Sequence, residues 1–432
     1  MSGSKGQGGE SRRAWKVRRA DDCKDSADSS LGAIPKNWHA LPIKRVCRLC
    51  YGDSLAATDR GDGDVDVFGS NGPIGKHDRA NTQGPSLIVG RKGSFGKVTY
   101  TESDAFAIDT TFFTDSRYTK GNIRWLYYAL QNARLDAASK DSAIPGLDRE
   151  DAYARRIAVG SMSEQRKIAD FLDRETMKID ALVASKGRMI ELLQEKRAAL
   201  ITRTIVRGLD TSVPKEDSGV PWLGKVPAHW DIAPVYARYE VELGKMLDSK
   251  NLTGLSSGKY LRNVDVQWDK INVQELAEMD FTPSDRKRYR LSPGDLLVCE
   301  GGEVGRSAIW AGELEECFYQ KAIHRVRPRT ASELPRYFYF VMRALATSGV
   351  FSAGGNPNTI DHLTAVRLRH YRFPFPPLNE QRGISELLDR ETAKVDRLVA
   401  QVEEAIDRLM EFRAALIYAA VTGKINIREE AS

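Results

Sequence analysis

Glycine-rich segments with basic side chains are the residues whose types and spacing first suggest chemistry in this sequence. Gly90–Lys97 and Glu300–Arg306 each follow a short apolar run of the kind that forms a strand. Gly90–Lys97 is not a nucleotide-binding P-loop, because Arg91 and Val98 stand where that motif requires a glycine and a serine or threonine. We therefore predict tight hairpins whose basic side chains can contact a phosphate.

Further basic runs lie in the second half of the chain, around Arg286, Arg325 and Arg367, and aromatic residues are interleaved with them. A solvated protein face is the plain alternative for any such run. The formal charge of +6 is only a mild bias towards a polyanionic partner, so local clustering matters more. The candidate residues for contact with nucleic acid are Arg91, Lys92, Ser94, Lys97, Lys76, His77, Arg286, Lys287, Arg288, Arg306, Lys321, Arg325, Asn356 and Asn358.

Motifs for catalysis are missing from the sequence. The tetrapeptide at 356–359 differs from the Asn-Pro-Pro-aromatic motif of amino-methyltransferases, and neither HExxH nor GxSxG occurs. Cys47 and Cys50 form a CxxC pair, but no second pair completes a zinc site, so we predict ordinary core thiols. The sequence favours a binding protein without a catalytic residue, a metal or a cofactor of its own.

Size and hydropathy bound the class of protein. At about 150 residues per domain, a chain of 432 residues is expected to form about three units. No apolar run approaches the roughly 20 residues that a membrane span needs, and residues 1–30 lack the apolar segment of a signal peptide. We expect a soluble, cytoplasmic protein with no membrane partner.

An internal repeat organises the chain. Residues 163–201 and 379–417 align without a gap, and 22 of the 39 positions are identical, including Glu-Gln-Arg, Leu-Asp-Arg-Glu-Thr and Arg-Ala-Ala-Leu-Ile. A shorter echo, Ile34-Pro35-Lys36-Asn37-Trp38 against Val226-Pro227-Ala228-His229-Trp230, precedes each globular stretch. The residues between these marks differ, so the sequence predicts two globular domains, each followed by a similar long helix.

Heptad spacing within each repeat predicts a coiled-coil seam. The two helices are expected to pair antiparallel, because a globular domain must return the chain from the end of the first helix to the start of the second. The predicted seam residues are Ile168, Leu172, Ile179, Leu182, Leu193, Leu200, Ile384, Leu388, Val395, Leu398, Leu409 and Leu416. Repeated polar residues on the same helices are candidates for partner docking: Gln165, Arg166, Arg197, Gln381, Arg382 and Arg413.

The order of these motifs resembles the specificity (S) subunit of type I restriction-modification systems over about residues 34–427. The junction at 373–381, the loop at 88–96 and the segment at 320–323 are similar to marks of that family. The first junction, 157–165, lacks the proline pair of the second, and the first 30 residues have no counterpart.

The resemblance implies an α+β fold in which two mixed α/β target-recognition domains are separated by two long helices, paired as an antiparallel coiled coil with a pseudo-two-fold internal repeat. The expected boundaries are a disordered tail at 1–30, a first recognition domain at 31–160, a first helix at 161–208, a linker at 209–225, a second recognition domain at 226–377, a second helix at 378–424 and a tail at 425–432.

The resemblance also implies a division of labour. The two domains would each read one half of a bipartite site on double-stranded DNA, and two methyltransferase (M) subunits would dock on the repeated helices. Restriction/translocase (R) subunits would join for cleavage. S-adenosylmethionine, ATP and Mg²⁺ would bind those partners, not this chain. Two alternatives stay open: an orphan or decoy DNA reader without a nuclease, and a coiled-coil scaffold with no role on DNA.

Overall fold

The computed structural model describes residues 17–61, 63–136, 146–247, 254, 256–351 and 362–427. The predicted contact residues Asn356 and Asn358 lie outside them. The chain divides into two compact units: unit 1 comprises residues 1–186 and 404–432, and unit 2 comprises residues 187–403. Each unit therefore contains one globular domain, the first part of the helix that follows it and the last part of the other long helix.

Unit 1 consists of short strands, two short helices and a long one. Its strands are β1 Cys23–Asp25, β2 Ala33–Pro35, β3 His39–Pro42, β4 Cys50–Tyr51, β5 Val65–Gly69, β6 Gly72–His77, β7 Ser86–Gly90, β8 Val98–Thr101, β9 Ala105–Ala107, β10 Thr111–Asp115 and β11 Arg156–Val159. Its helices are α1 Ile123–Asn132, α2 Arg149–Ala154 and the first part of α3 Met162–Arg207. Strands β4-β10-β7-β8 form an antiparallel sheet, and β6-β5-β9 form a smaller mixed sheet.

Unit 2 has the same kinds of element. Its strands are β12 Lys215–Asp217, β13 Lys225–Pro227, β14 Asp231–Pro234, β15 Tyr239–Leu243, β16 Ser257–Leu261, β17 Val266–Gln267, β18 Lys270–Ile271, β19 Ala277–Asp280, β20 Leu296–Cys299, β21 Ser307–Ile309, β22 Phe318–Tyr319, β23 Ile323–Pro328 and β24 Arg372–Phe375. Its helices are α4 Val235–Arg238, α5 Pro283–Tyr289, α6 Pro335–Thr347, α7 Ala365–His370 and the first part of α8 Leu378–Val421.

The repeat extends into the globular domains, although their sequences differ. The sheet β15-β23-β20-β21 of unit 2 has the strand order and antiparallel pairing of β4-β10-β7-β8 in unit 1. The smaller sheets also match, because β5 and β16 each pair antiparallel with one neighbour and parallel with the other. Both domains are thus versions of one backbone plan.

One apolar helix fills the core of each domain. The aromatic residues Trp125 and Tyr128 of α1 are fully buried in unit 1, as are Tyr337 and Phe338 of α6 in unit 2. The aromatic side chains of both helices therefore belong to the core. The amphipathic face of each helix packs on a sheet, where its burial supplies most of the stabilisation that a short helix lacks by itself.

The long helices run antiparallel within each unit. In unit 1, Arg413 of α8 donates to Asp180 of α3 at 2.9 Å between Nε and Oδ1. In unit 2, Arg197 of α3 pairs with Asp396 of α8 at 2.9 Å between Nη1 and Oδ1. Both pairs join residues whose numbers sum to 593, as expected for one antiparallel register.

The seam is confirmed for most of the predicted positions. Buried or half-buried residues are Ile168, Leu172, Ile179, Leu193, Leu200, Ile384, Leu388, Val395, Leu409 and Leu416. The prediction is wrong for Leu182 and Leu398, whose exposed fractions are 52% and 47%. Val183 and Val399 take the inward positions instead, because the seam steps four residues on from Ile179 and Val395 and leaves the preceding leucine facing outwards.

The prediction of a disordered tail over residues 1–30 is wrong for residues 17–30. Strand β1 pairs with β2 from Cys23 to Asp25, and Leu31 is buried. Arg18 donates its backbone N–H to the carbonyl of Lys424 at 2.8 Å, and Val17 forms a bridge with Ile425. These contacts connect residues about 400 apart in sequence, which no local pattern can indicate.

Candidate nucleic-acid interface and docking surfaces

Two equivalent hairpin loops carry many of the predicted contact residues. Loop 1, residues 90–97, joins β7 to β8, and loop 2, residues 299–306, joins β20 to β21. Gly93 and Gly302 have φ of +75° and +76°, and Gly96 and Gly305 have φ of +78° and +83°. The N–H of Gly96 donates to the carbonyl of Gly90 at 2.8 Å, and that of Gly305 donates to Cys299 at 3.0 Å. Glycine is required at these positions because side chains rarely tolerate positive φ.

The side chains on the two loops differ in charge. Loop 1 carries Arg91, Lys92 and Lys97 and no acidic residue, whereas the matching segment of loop 2 carries Glu300, Glu303 and Arg306. Two loops with matching turns therefore present mostly donors in unit 1 and mostly acceptors in unit 2.

In unit 1 the structure leaves several predicted residues at the surface. Lys92 and Ser94 are exposed, and so is Lys97, which donates to the carbonyl of Asn71 at 2.8 Å. Lys76 is also exposed and pairs with Asp66 at 2.8 Å. The prediction is wrong for His77, whose ring is buried and packs edge-on against Phe106 at 5.2 Å between centroids.

In unit 2 most predicted arginines serve the fold. Arg325 is buried, with Nη2 3.0 Å from Glu240 and Nη1 2.8 Å from the carbonyl of Arg288, so its prediction as a contact residue is wrong. Arg286 donates to the carbonyl of Ser257 at 2.8 Å and also pairs with Glu316. The remaining predicted cations of unit 2 fall into two groups. Arg288 donates to Glu242 and Arg306 donates to Asn263, whereas Lys287 and Lys321 are exposed.

Beside loop 1 lie an aromatic residue and an arginine, Tyr51 and Arg149, that were not predicted from the sequence. Tyr51 is 45% exposed, and its ring contacts two guanidinium groups: Cζ of Arg91 is 5.0 Å from the ring centroid and Cζ of Arg149 is 4.9 Å away. Tyr51 sits on the edge strand β4 and Arg149 begins α2, so the stack joins residues about 100 positions apart. A periodic pattern in the sequence does not reveal such a long-range group.

The Glu-Gln-Arg motif at each helix start fastens the helix to its own domain. Oε1 of Gln165 accepts from the N–H of Asn122, the N-cap of α1, at 2.9 Å, and its Nε2 donates to the carbonyl of Gly160 at 3.0 Å. Gln381 repeats these bonds with Leu334 at 2.8 Å and Pro376 at 2.9 Å.

Both glutamines are therefore buried. Their prediction as partner-docking residues is wrong, because the two amides are used to satisfy backbone groups at the junction of helix and domain.

The aspartate of each Leu-Asp-Arg-Glu-Thr motif pairs with an arginine of the core helix of its domain, α1 or α6. Asp173 accepts from Nε of Arg124 in α1 at 2.6 Å, and Asp389 accepts from Nε of Arg336 in α6 at 2.8 Å. The pKa of Arg336 is raised well above its ordinary value by Asp269 and Asp389, against the lowering effect of burial. Repetition of the aspartate in this motif is thus explained by the same contact in each unit.

The other docking candidates divide into two classes. Arg197 and Arg413 form the cross-helix pairs with Asp396 and Asp180, so their guanidinium groups serve the coiled coil. Arg166 and Arg382 are exposed, and their role stays a prediction.

A further repeated surface lies on the exposed face of each helix. Glu175 accepts from Nε of Arg174 at 3.1 Å and from Nζ of Lys178 at 2.8 Å, and Leu182 follows one turn later. In α8 the same contacts are 3.1 Å and 2.9 Å, made by Glu391 with Arg390 and Lys394, and Leu398 follows. We call residues 174–182 and 390–398 the two repeated faces.

The described residues offer neither a metal site nor a membrane-spanning helix. Within ranges 17–61, 63–136, 146–247, 254, 256–351 and 362–427, no group of three or more His, Cys, Asp or Glu side chains could hold a metal ion. No helix in this part of the chain is long and apolar enough to cross a bilayer. Burial raises the pKa of the Cys47 thiol to about 12, so this cysteine is an inert core residue.

Comparison with known proteins gives one consistent result. The family model described as the type I restriction modification DNA specificity domain matches residues 35–186 and 240–408. The EcoBI specificity subunit of Escherichia coli is 30% identical over 137 residues, which cover 32% of this chain and 28% of that protein. The EcoKI specificity subunit of Escherichia coli strain K12 is 27% identical over 211 residues, covering 47% and 44%. These alignments thus span less than half of either relative.

A solved structure extends the likeness of the fold. It is described as the structural basis of complex assembly and conformational transition of the type I R-M system. One of its chains superposes with a TM-score of 0.63 at 14% identity, covering 91% of this chain and 99% of that one. At this identity the match supports the shared fold.

Proposed function

The chain belongs to the family of type I restriction-modification DNA specificity subunits, and from this premise we propose that it reads a bipartite, asymmetric DNA site and recruits methyltransferase subunits and restriction subunits to it. In this proposal the chain itself is not catalytic. Target methylation and ATP-dependent cleavage belong to the partners, which bind S-adenosylmethionine, ATP and Mg²⁺.

One observation carries the proposal: two domains share a backbone plan, yet equivalent loops differ in charge. Arg91 and Glu300 occupy the same position, since the N–H groups of Leu147 and Leu363 donate to their respective carbonyls at 2.8 Å. Arginine donates to guanine and phosphate, whereas a carboxylate accepts from the amino group of cytosine. Two domains of this kind suit two half-sites of different sequence.

The repeated faces support recruitment of two copies of one partner. Arg174, Glu175, Lys178 and Leu182 recur unchanged as the second face, although all except Glu175 are largely exposed and the fold alone does not require their identity. An apolar side chain on a helix surface can enter a groove of a partner, as in helix-in-groove recognition. The residues that the two faces share favour two copies of one partner, here the two methyltransferase subunits.

Methylome sequencing of the host with and without this gene tests the proposal. We expect one bipartite motif to lose its methylation when the gene is deleted. Exchanging residues 38–160 for those of a homologue should change one half of that motif and leave the other intact. A change in both halves, or in neither, would contradict modular reading, and methylation without any restriction in the host would favour an orphan reader.

A further inference from the structure

The Arg91–Tyr51–Arg149 stack of unit 1 has features of a contact site that the fold does not use. Tyr51 is 45% exposed, and both guanidinium groups lie within 5.0 Å of its ring centroid. Among the described residues, no carboxylate lies within 4.0 Å of Arg91 or Arg149, whereas Arg117 and Arg124 in the same unit are paired with aspartates. The charges of the stack are therefore not neutralised by a salt bridge in the described part of unit 1.

Stacking on the ring also orients the two guanidinium groups. Arg91 uses Nη1 to donate to the carbonyl of Asp109 at 3.2 Å, which leaves its other donors available. A guanidinium restricted by contact with an aromatic ring loses less freedom when its paired donors meet a pair of acceptors. Paired acceptors of that geometry are the O6 and N7 atoms of guanine and the oxygens of a phosphate.

Unit 2 lacks every member of this stack at the equivalent positions. Leu243 stands where unit 1 has Tyr51. The equivalence follows from the next residue in each unit: the N–H of Gly52 donates to the carbonyl of Thr111 at 3.1 Å, and that of Gly244 donates to the carbonyl of Ile323 at 3.0 Å, at the matching position of the sheet. Glu300 replaces Arg91, as shown above. Ala365 replaces Arg149, since each is the first residue of its short helix after an N-cap, Asp148 or Thr364.

We propose that Arg91, Tyr51 and Arg149 form the contact by which unit 1 holds guanine or phosphate acceptors of its DNA half-site, and that their absence from unit 2 makes the two half-sites chemically unequal. This inference rests on the proposed function. Lys92 is exposed beside Arg91 in loop 1 and adds positive charge next to the stack.

The test compares two double variants of the full chain, assembled with its methyltransferase subunits. R91Q/R149Q removes the two stacked charges, and R45Q/R79Q removes two exposed charges of unit 1 that have no aromatic stack in the described structure. The probe is a duplex carrying the site found by methylome sequencing, together with duplexes in which each base pair is exchanged in turn. Thermal unfolding of both variants checks that they are folded.

We expect R91Q/R149Q to weaken binding by about tenfold or more, in line with the loss of bidentate contacts, while R45Q/R79Q stays near the wild type. Loss of discrimination at a guanine of the first half-site assigns a base contact. If the affinity falls equally for all duplexes, and the slope of log affinity against log salt concentration becomes smaller by about one per lost contact, the contact is to phosphate. In either case discrimination at the second half-site is unchanged.

Binding by R91Q/R149Q that equals the control overturns the inference while leaving the proposed function intact. Failure of the wild-type complex to discriminate any sequence overturns the proposed function itself. The reciprocal variant L243Y/E300R/A365R should shift the preference of the second half-site only, and an unchanged preference there also counts against the inference.

Discussion

The two glutamines of the Glu-Gln-Arg motif show how far residue type alone can be interpreted. A polar residue repeated on a helix suggests a surface role, and the sequence analysis assigned one to Gln165 and Gln381. Their burial instead reflects four hydrogen bonds to backbone groups of the adjoining domain. The repeat identified the right residues, but their partners lie 43 and 47 positions away and are visible only in the folded chain.

Replacing Gln381 with leucine should destabilise unit 2. The substitution leaves the N–H of Leu334 and the carbonyl of Pro376 without their side-chain partner in a buried site, at a cost of about 1–3 kcal/mol. Hydrogen exchange of the α6 amides measures the loss. Arg382→Leu, one residue on and exposed, is the matched control, and equal protection in the two variants would argue against this role for Gln381.

A buried histidine predicts acid sensitivity of unit 2. Burial lowers the pKa of His324, against the raising effect of its bond to the carbonyl of Leu363 at 2.6 Å. A histidine whose pKa is lower in the folded state leaves stability intact above its unfolded pKa, about 6.5, and reduces stability as the pH falls below that value. The loss is at most about 1.4 kcal/mol per pH unit.

Thermal unfolding at pH 7.5 and 5.5 tests this dependence. Phe112 of unit 1 is equivalent to His324, because Phe112 pairs with Tyr51 across the sheet as His324 pairs with Leu243. His324→Phe is therefore the variant to compare. We expect the variant to lose less stability than the wild type on acidification. The same loss in both proteins would exclude His324 as its source.

At the scale of elements, the sequence predicted both long helices, but it predicted only some of the residues that face the seam. The periodic segments gave helices at 161–208 and 378–424, and the structure has them at Met162–Arg207 and Leu378–Val421. Three and four residues after a seam residue such as Ile179 lie two candidates for the next seam position, Leu182 and Val183. Heptad spacing cannot decide between them, because both are apolar. Pairing with the second helix decides it, and the leucine is left outside.

The outward leucines and the inward valines should therefore respond differently to a charge. Val395→Asp places a carboxylate in the seam and should cost about 3 kcal/mol or more, which circular dichroism during thermal unfolding would detect. L182D/L398D should leave the fold within about 0.5 kcal/mol of the wild type but abolish assembly with methyltransferase subunits on size-exclusion chromatography. Normal assembly of this double variant would remove the repeated faces from the docking surface.

At the scale of the whole molecule, the sequence predicted two mixed α/β domains in a pseudo-two-fold repeat, and in the structure the two domains have the same strand order although their sequences differ. Antiparallel pairings such as β10 with β7 and β23 with β20 depend on contacts across the sheet, and many side chains can occupy them. Backbone topology is therefore retained while surface residues change. Positions with special backbone needs, such as Gly93 and Gly302, keep their residue type.

The bridge between Val17 and Ile425 has a consequence for how the chain can be encoded. In unit 1 the residues before β1 meet the residues after α8 without a peptide bond, whereas in unit 2 residues 208–214 join α3 to β12 covalently at the equivalent place. If the residues at this bridge were joined, the chain would be a closed ring of domain, helix, domain and helix. This order is the same whether the ring is cut after α8 or after α3.

A permuted gene that opens at Leu209, closes at Gly208 and joins Asn426 to Val17 through a short glycine-serine linker should yield a protein with native thermal unfolding and native methylation specificity. Opening the chain within α1 instead, at Tyr127, should prevent folding. If the permutant opened at Leu209 also failed, the covalent connection between α3 and β12 would be a requirement of the fold; native unfolding would show that a connection at the bridge between Val17 and Ile425 can replace it.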